Sequence, residues 1–217
     1  MIDAAVMSTR SDSQAPIRNE PVQARSTARL AALLDAAAHV IDEIGYERLT
    51  TAMVADRAGA SIGTVYRYFP DRIAVLQSLA ARNAERVGEQ ALAELKNPRH
   101  DSWTAALEAG YEVFRAAFRS EPGFAALRFG DVLDLRPLVG VPALRQFSDR
   151  AAAVMVDRFG MSDSAEAKLT LQSVLMIADS IAADAFQRDP HGDAAILRHA
   201  ILAAHALLKE YFPASAR

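Results

Sequence analysis

Apolar residues recur along this chain at steps of three and four, and such spacing places them on one face of a helix. Leu30, Leu33, Leu34, Ala37, Ile41 and Ile44 make the first such face. Gly45 follows as a left-handed cap, and Thr50 or Thr51 stands ready to cap the next helix. Met53, Val54 and Ala58 give a second, short helix its apolar side. Gly59 then offers a tight turn, Ser61 a further cap, and Val65 with Phe69 the inner side of a third helix. A long helix is predicted over about residues 71–96, closed by Asn97-Pro98. Asp101 or Ser102 caps another, to about residue 119, which Glu121-Pro122-Gly123 breaks. Residues 123–140 are less regular. Further helices are predicted over about 142–159, 164–188 and 193–212, the last two split by Asp189-Pro190-His191-Gly192. No alternation of strand type appears. The reading is an all-α fold of about nine helices. The first twenty-odd residues, polar and holding Pro16 and Pro21, read as a flexible arm.

Composition narrows the function classes. There are no cysteines, so thiolate metal sites, disulfides and thiol nucleophiles are excluded. The five histidines include His199 and His205, six apart on one predicted helix, which is not a zinc spacing. No Gly-x-Ser-x-Gly elbow, P-loop or dinucleotide fingerprint appears. No metal, no cofactor and no catalytic residue is therefore expected. Residues 1–20 carry Asp3, Asp12 and Glu20 without an apolar run of signal-peptide length, and Met7 offers a second start. No run of about 20 uncharged apolar residues is present, so no membrane span is expected and the protein reads as cytoplasmic. Arg dominates over Lys and Ala is abundant, a compositional pointer to a bacterial source. A net charge of −3 gives no basic excess to advertise a nucleic acid.

The segment over residues 50–76 changes that picture. Two short helices joined by a glycine turn form a helix-turn-helix, whose second helix fits the major groove of DNA. With Val65 and Phe69 turned inward, Ile62, Gly63, Thr64, Tyr66, Arg67 and Tyr68 face outward. Hydroxyls suit phosphate oxygens, and Arg suits phosphate or guanine. The same spacing also suits a plain helical hairpin in a bundle, although a bundle does not need Gly, Thr, Tyr and Arg together on its exposed face.

From Arg29 to Leu76 the chain resembles the N-terminal domain of the TetR family of bacterial regulators. The resemblance rests on Ala36 to Ile41 in the leading helix, Gly45-Tyr46, Thr50-Thr51, the alanines at 55 and 58, Gly59, Ser61, Gly63, Thr64, Tyr66 and Tyr68-Phe69. It implies a DNA-binding domain over residues 25–70 after an arm of residues 1–24. It also implies a helical ligand-binding and dimerisation domain over residues 71–217. Thr51, Thr64, Tyr66, Tyr68 and Arg72 would contact phosphates; Ser61 would cap the groove helix; Ala52, Ile62, Gly63 and Arg67 would face bases. Arg72 stands where the family usually has Lys. Ala52 and Ile62 offer only apolar contact, so Arg67 is expected to carry most polar readout, helped by DNA shape. The implied partners are a palindromic double-stranded operator, a second copy of the chain and a small-molecule effector. The function expected is a ligand-released repressor; a repressor and an activator read alike in these residues.

In the C-terminal half, Leu171, Val174, Leu175, Ala178 and Ala182 make one stripe, and Ile201, Ala204 and Leu208 belong to another that also takes in Leu207. Paired across two subunits these stripes would form a four-helix dimer interface, which the resemblance favours. They equally suit burial within one subunit. Trp103, Tyr111, Phe114, Phe118, Phe129, Met155 and Met176 are large apolar residues that would line an effector cavity or simply fill a core. Asp179, in an apolar stretch, would orient a polar group of the effector or else lie exposed.

Overall fold

The computed structural model describes residues 22–127 and 143–213. Among them every regular element is helical: α1 (Val22–Ile44), α2 (Thr51–Arg57), α3 (Ile62–Tyr68), α4 (Arg72–Lys96), α5 (Trp103–Ser120), α6 (Phe124–Leu127), α7 (Ala143–Phe159), α8 (Ala165–Arg188) and α9 (Ala194–Leu208), with 3-10 turns at Tyr46–Arg48 and Lys209–Tyr211. The helix starts lie where the capping residues put them. Thr50, Ser61, Asp71, Ser102, Ser164 and Asp193 each accept a hydrogen bond from a backbone N–H of the first turn they precede.

The first core joins α1, α2, α3 and the start of α4. Leu33, Ala37 and Ile41 of α1 meet Val54, Val65, Phe69, Val75 and Leu79, all buried. Burial of such side chains stabilises by roughly 1.5–3 kcal/mol each, which lets two seven-residue helices persist although neither would be stable alone. Met53 is the exception to the expected inner face: it is exposed, and Ala55 takes its place in the core. Ala58, half-buried, packs against the same core.

The remaining helices pack around two further clusters. One gathers Leu92, Trp103, Leu107, Met155, Leu171, Val174, Ala204, Leu208 and Phe212; the other gathers Val87, Phe114, Phe118, Phe124, Ala182 and Leu197. The short α6, in the stretch expected to be irregular, ties the two halves together. Phe124 at its start belongs to the aromatic cluster, whereas Leu127 at its end is buried in the first core. Gly123 makes this approach possible: its φ is +70°, and a Cβ there would sit 3.2 Å from the Ala38 carbonyl oxygen of α1. Arg86 of α4 grips Glu121 with two bonds of 2.6 Å, and Arg82 reaches Asp35 of α1 at 2.6 Å. The Arg86 guanidinium beside Glu121 holds that carboxyl below its ordinary pKa.

Helix α8 departs from the sequence expectation in one respect: by length and composition it is apolar enough to cross a membrane. Its apolar residues serve two sides. Leu171, Val174 and Ala182 are buried against the chain itself, while Leu169, Met176 and Ile177 are exposed.

Candidate DNA-binding surface and internal cavity

Helices α2 and α3 meet at a turn in which Gly59 has φ +58° and Ala60 N–H returns to the Ala55 carbonyl at 2.9 Å. Ser61 fixes the start of α3 twice over. Its oxygen accepts from Thr64 N–H at 3.1 Å and lies 2.9 Å from the Thr64 hydroxyl. Val65 and Phe69 anchor the inner side, so Ser61, Ile62, Gly63, Tyr66 and Arg67 are exposed, with Thr64 and Tyr68 half-buried. On α2, Ala52 is exposed and Thr51 half-buried, its hydroxyl donating to the Tyr66 oxygen at 3.4 Å. Met53, Ile62 and Tyr66 make an apolar patch around these polar groups. Among the described residues no carboxylate pairs with Arg67, whose guanidinium lies 5.7 Å from the Tyr68 ring centre.

Two of the expected phosphate ligands are bonded to groups outside the helix-turn-helix. The Tyr68 hydroxyl lies 3.2 Å from the Ser26 hydroxyl, and so ties α3 to the start of α1. Arg72 is half-buried and its Nη1 donates to the carbonyls of Glu47, at 2.5 Å, and Tyr46, at 3.5 Å. Its guanidinium braces the turn between α1 and α2, an occupation that its spacing from α3 did not disclose.

A cavity opens between α4, α5, α7, α8 and α9. Its space is about 750 Å³ when the open mouth is counted, and little of it is wide enough for a water molecule, so it is narrow. Of the residues expected there, Tyr111, Phe114 and Asp179 line it. The others are placed elsewhere. Trp103 stacks on Phe212 at 4.4 Å, Phe118 packs on Phe124 and Phe186, Met155 is 1% exposed within the core, and Met176 is 51% exposed to solvent. Phe129 lies outside the described residues. Wall residues that the aromatic pattern could not flag include Gly88, Ala91, Gly110 and Ala200, small side chains whose shortness makes the space.

The stripes read as a dimer seam need correcting. Leu171, Val174, Ala182, Ala204 and Leu208 are buried in their own subunit, and Leu171, Val174, Leu175, Ala178, Ile201 and Ala204 line the cavity. A 3.6-residue period marks a buried face without saying what buries it. On the same helices Leu169, Met176, Ile177, Leu202 and Leu207 are exposed. Among the described residues the exposed large apolar side chains lie on these two helices or on α2 and α3, and exposed apolar patches mark interaction surfaces.

Residues 33–79 match the family model described as bacterial regulatory proteins, tetR family. The chain is similar to the HTH-type transcriptional repressor KstR of Rhodococcus jostii, 39% identical over 66 residues covering 30% of this chain and 29% of that one. The KstR of Mycolicibacterium smegmatis is 31% identical over 59% of this chain and 55% of its own length. The matches thus span little more than half of these curated relatives at most. A TetR-family transcriptional regulator of known structure from Streptomyces coelicolor superposes with a TM-score of 0.71 at 29% identity, over 85% of this chain and 99% of the other.

Proposed function

We propose that the chain, whose residues 33–79 match the family model described as bacterial regulatory proteins, tetR family, belongs to that family and is a cytoplasmic transcriptional repressor that binds a palindromic operator as a homodimer and is released by a small apolar or amphipathic molecule. The observation that carries this reading is the outward face of α3. Ile62, Gly63, Tyr66 and Arg67 are exposed on a helix held in place by Val65, Phe69 and the Ser61 cap. A helix so presented fits a major groove, with the apolar Ile62 against a thymine methyl and Arg67 on a guanine edge. Thr51, Thr64 and Tyr66 hydroxyls then serve phosphates, and Ala52 lies beside the bases.

On this reading the labour divides between two regions: residues 25–70 for DNA binding, behind an arm of residues 1–24, and residues 71–217 for the effector and the dimer. The exposed face of α8 and α9 is the dimer seam, with Leu169, Met176, Leu202 and Leu207 of each copy meeting in a four-helix arrangement. The cavity is the effector site. An effector there presses on α4, which continues from α3 through Pro70, and on Phe114, which meets Phe124 of α6 at 5.7 Å. The two recognition helices of the dimer then leave the spacing, about 34 Å, that adjacent major grooves require. Release demands that the effector prefer that second state.

The test is binding to DNA from the region upstream of the protein's own gene, followed by fluorescence anisotropy at two salt concentrations. Salt-sensitive binding stronger than to scrambled DNA is expected. Equal affinity for upstream and scrambled DNA, with selection from random sequence also empty, contradicts the reading.

A further inference from the structure

The cavity wall has a chemistry more specific than its general apolarity. Apart from Tyr111 of α5 and Asp179 of α8, its described residues are apolar or glycine, and no Lys, Arg or His is among them. Asp179 is 4% exposed, one of three buried polar residues in the described chain. The Tyr111 hydroxyl is shut away from solvent and meets no hydrogen-bonding group among the described residues. Burial pushes the Tyr111 pKa up to about 12, with the nearby Arg115 charge opposing the rise and the Asp179 charge adding to it, so the phenol keeps its proton and remains a donor. A buried donor without a partner costs stability that a ligand recovers by supplying the acceptor. Asp179 has an interaction of its own, and a carboxylate has lone pairs for further donors.

Resting on the reading of this cavity as the effector site, we propose that it selects an uncharged, slender apolar molecule carrying a hydroxyl, and rejects the carboxylate of the same skeleton. One hydroxyl oxygen answers both wall groups: it accepts from Tyr111 and donates to Asp179. A carboxylate accepts from Tyr111 but brings a second negative charge beside Asp179 in an apolar wall, where like charges repel strongly. An ammonium group satisfies Asp179 but has no lone pair for the Tyr111 proton. The narrow bore admits a single chain or thin ring system and excludes a bulky one.

The chain's single tryptophan, Trp103, reports on this site. It shares a cluster with Leu107, Leu171, Val174 and Ala204, which line the cavity. The experiment titrates the full-length protein with decan-1-ol, decanoate and decylamine, following Trp103 emission. Decan-1-ol is expected to bind at least about tenfold more tightly than decanoate, the scale of one hydrogen bond gained and one repulsion avoided. Tyr111→Phe is expected to weaken decan-1-ol by about three- to tenfold, and Asp179→Asn to bring alcohol and carboxylate close together. Thermal melts establish that each variant is folded; should Asp179→Asn not fold, Tyr111→Phe decides alone. Decanoate or decylamine binding as tightly as the alcohol, an alcohol affinity unmoved by Tyr111→Phe, or no binding of any of the three overturns the proposal. Operator binding is read separately by anisotropy. Protein that holds its operator yet ignores decan-1-ol refutes this inference alone, and protein that binds decan-1-ol but no operator refutes the regulatory reading alone.

Discussion

Replacement of Phe124 by Ala tests whether the two halves of the molecule are held through α6. Phe124 is fully buried, and its ring meets Phe114 at 5.7 Å and Phe118 at 5.3 Å, both edge-to-face. Removal of a core phenylalanine costs about 3–5 kcal/mol, which already contains the roughly 0.5–1.5 kcal/mol of each ring pair. With two such pairs and no exposure, the cost belongs in the middle of that range, about 4 kcal/mol, a large fraction of a typical domain's stability. Phe124→Leu keeps most of the volume and loses the ring pairs, so about 1–2 kcal/mol is expected. Urea unfolding at one fixed protein concentration measures both, the concentration being held because any self-association would add to the measured stability. Hydrogen exchange adds the position of the effect. Leu127, one turn on, is buried against α1, and Gly123 lies against Ala38, so loosened α6 should raise exchange in α1 around residues 33–41 although Phe124 belongs to the other cluster. A loss below about 1.5 kcal/mol for Phe124→Ala, or faster exchange confined to α5, would refute the reasoning.

Arg72→Ala should lower the melting temperature, by an amount matching about 1 kcal/mol for a half-exposed charged donor removed from the Glu47 and Tyr46 carbonyls, while leaving the salt slope of DNA binding unchanged; a slope reduced by about one with unchanged melting would make it a phosphate contact instead. Leu202→Glu places a charge in the exposed face of α8 and α9 and should convert dimer to monomer in sedimentation at micromolar concentration without loss of helix content; a persistent dimer would move the seam elsewhere. In alkaline titration followed by ultraviolet absorbance, one of the five tyrosines should ionise late, at about 12, and vanish from the curve in Tyr111→Phe. Because its folded pKa is raised, the stability linked to Tyr111 is complete below the unfolded value near 10 and is lost as pH rises from there through about 12. A wild-type curve with no late phenol would contradict the burial of Tyr111.

Much of the helical framework was legible because caps and breakers are local. Ser61, Asp71, Ser102 and Ser164 announce the starts of α3, α4, α5 and α8 within a residue, and Gly59 announces the turn between α2 and α3. The outward set on α3 was also legible, since Val65 and Phe69 fix which side is inner. What depends on tertiary neighbours was not. Period alone put Leu171 and Val174 on one face of α8 and Ala204 on one face of α9 but could not assign those faces to the cavity and its surrounding core instead of a partner subunit. Met53 obeys the helical step yet is exposed, while Ala55 is buried. The bonds of Arg72 within the protein were hidden because its partners are carbonyl oxygens, which leave no trace in side-chain identity. The cavity wall was hidden in glycine and alanine, residues whose contribution is the volume they do not fill.

The central claim is that the outward face of α3 reads a DNA sequence, and selection from a random duplex library with wild type and Arg67→Ala side by side tests it most directly. Arg67 is exposed and its removal should leave the melting temperature unchanged. The account predicts that wild type enriches a palindrome with half-sites about one helical turn apart. It predicts that Arg67→Ala loses discrimination at one base pair per half-site, about 1–3 kcal/mol. No enriched sequence for the wild type, or an identical sequence preference for both proteins, would contradict it.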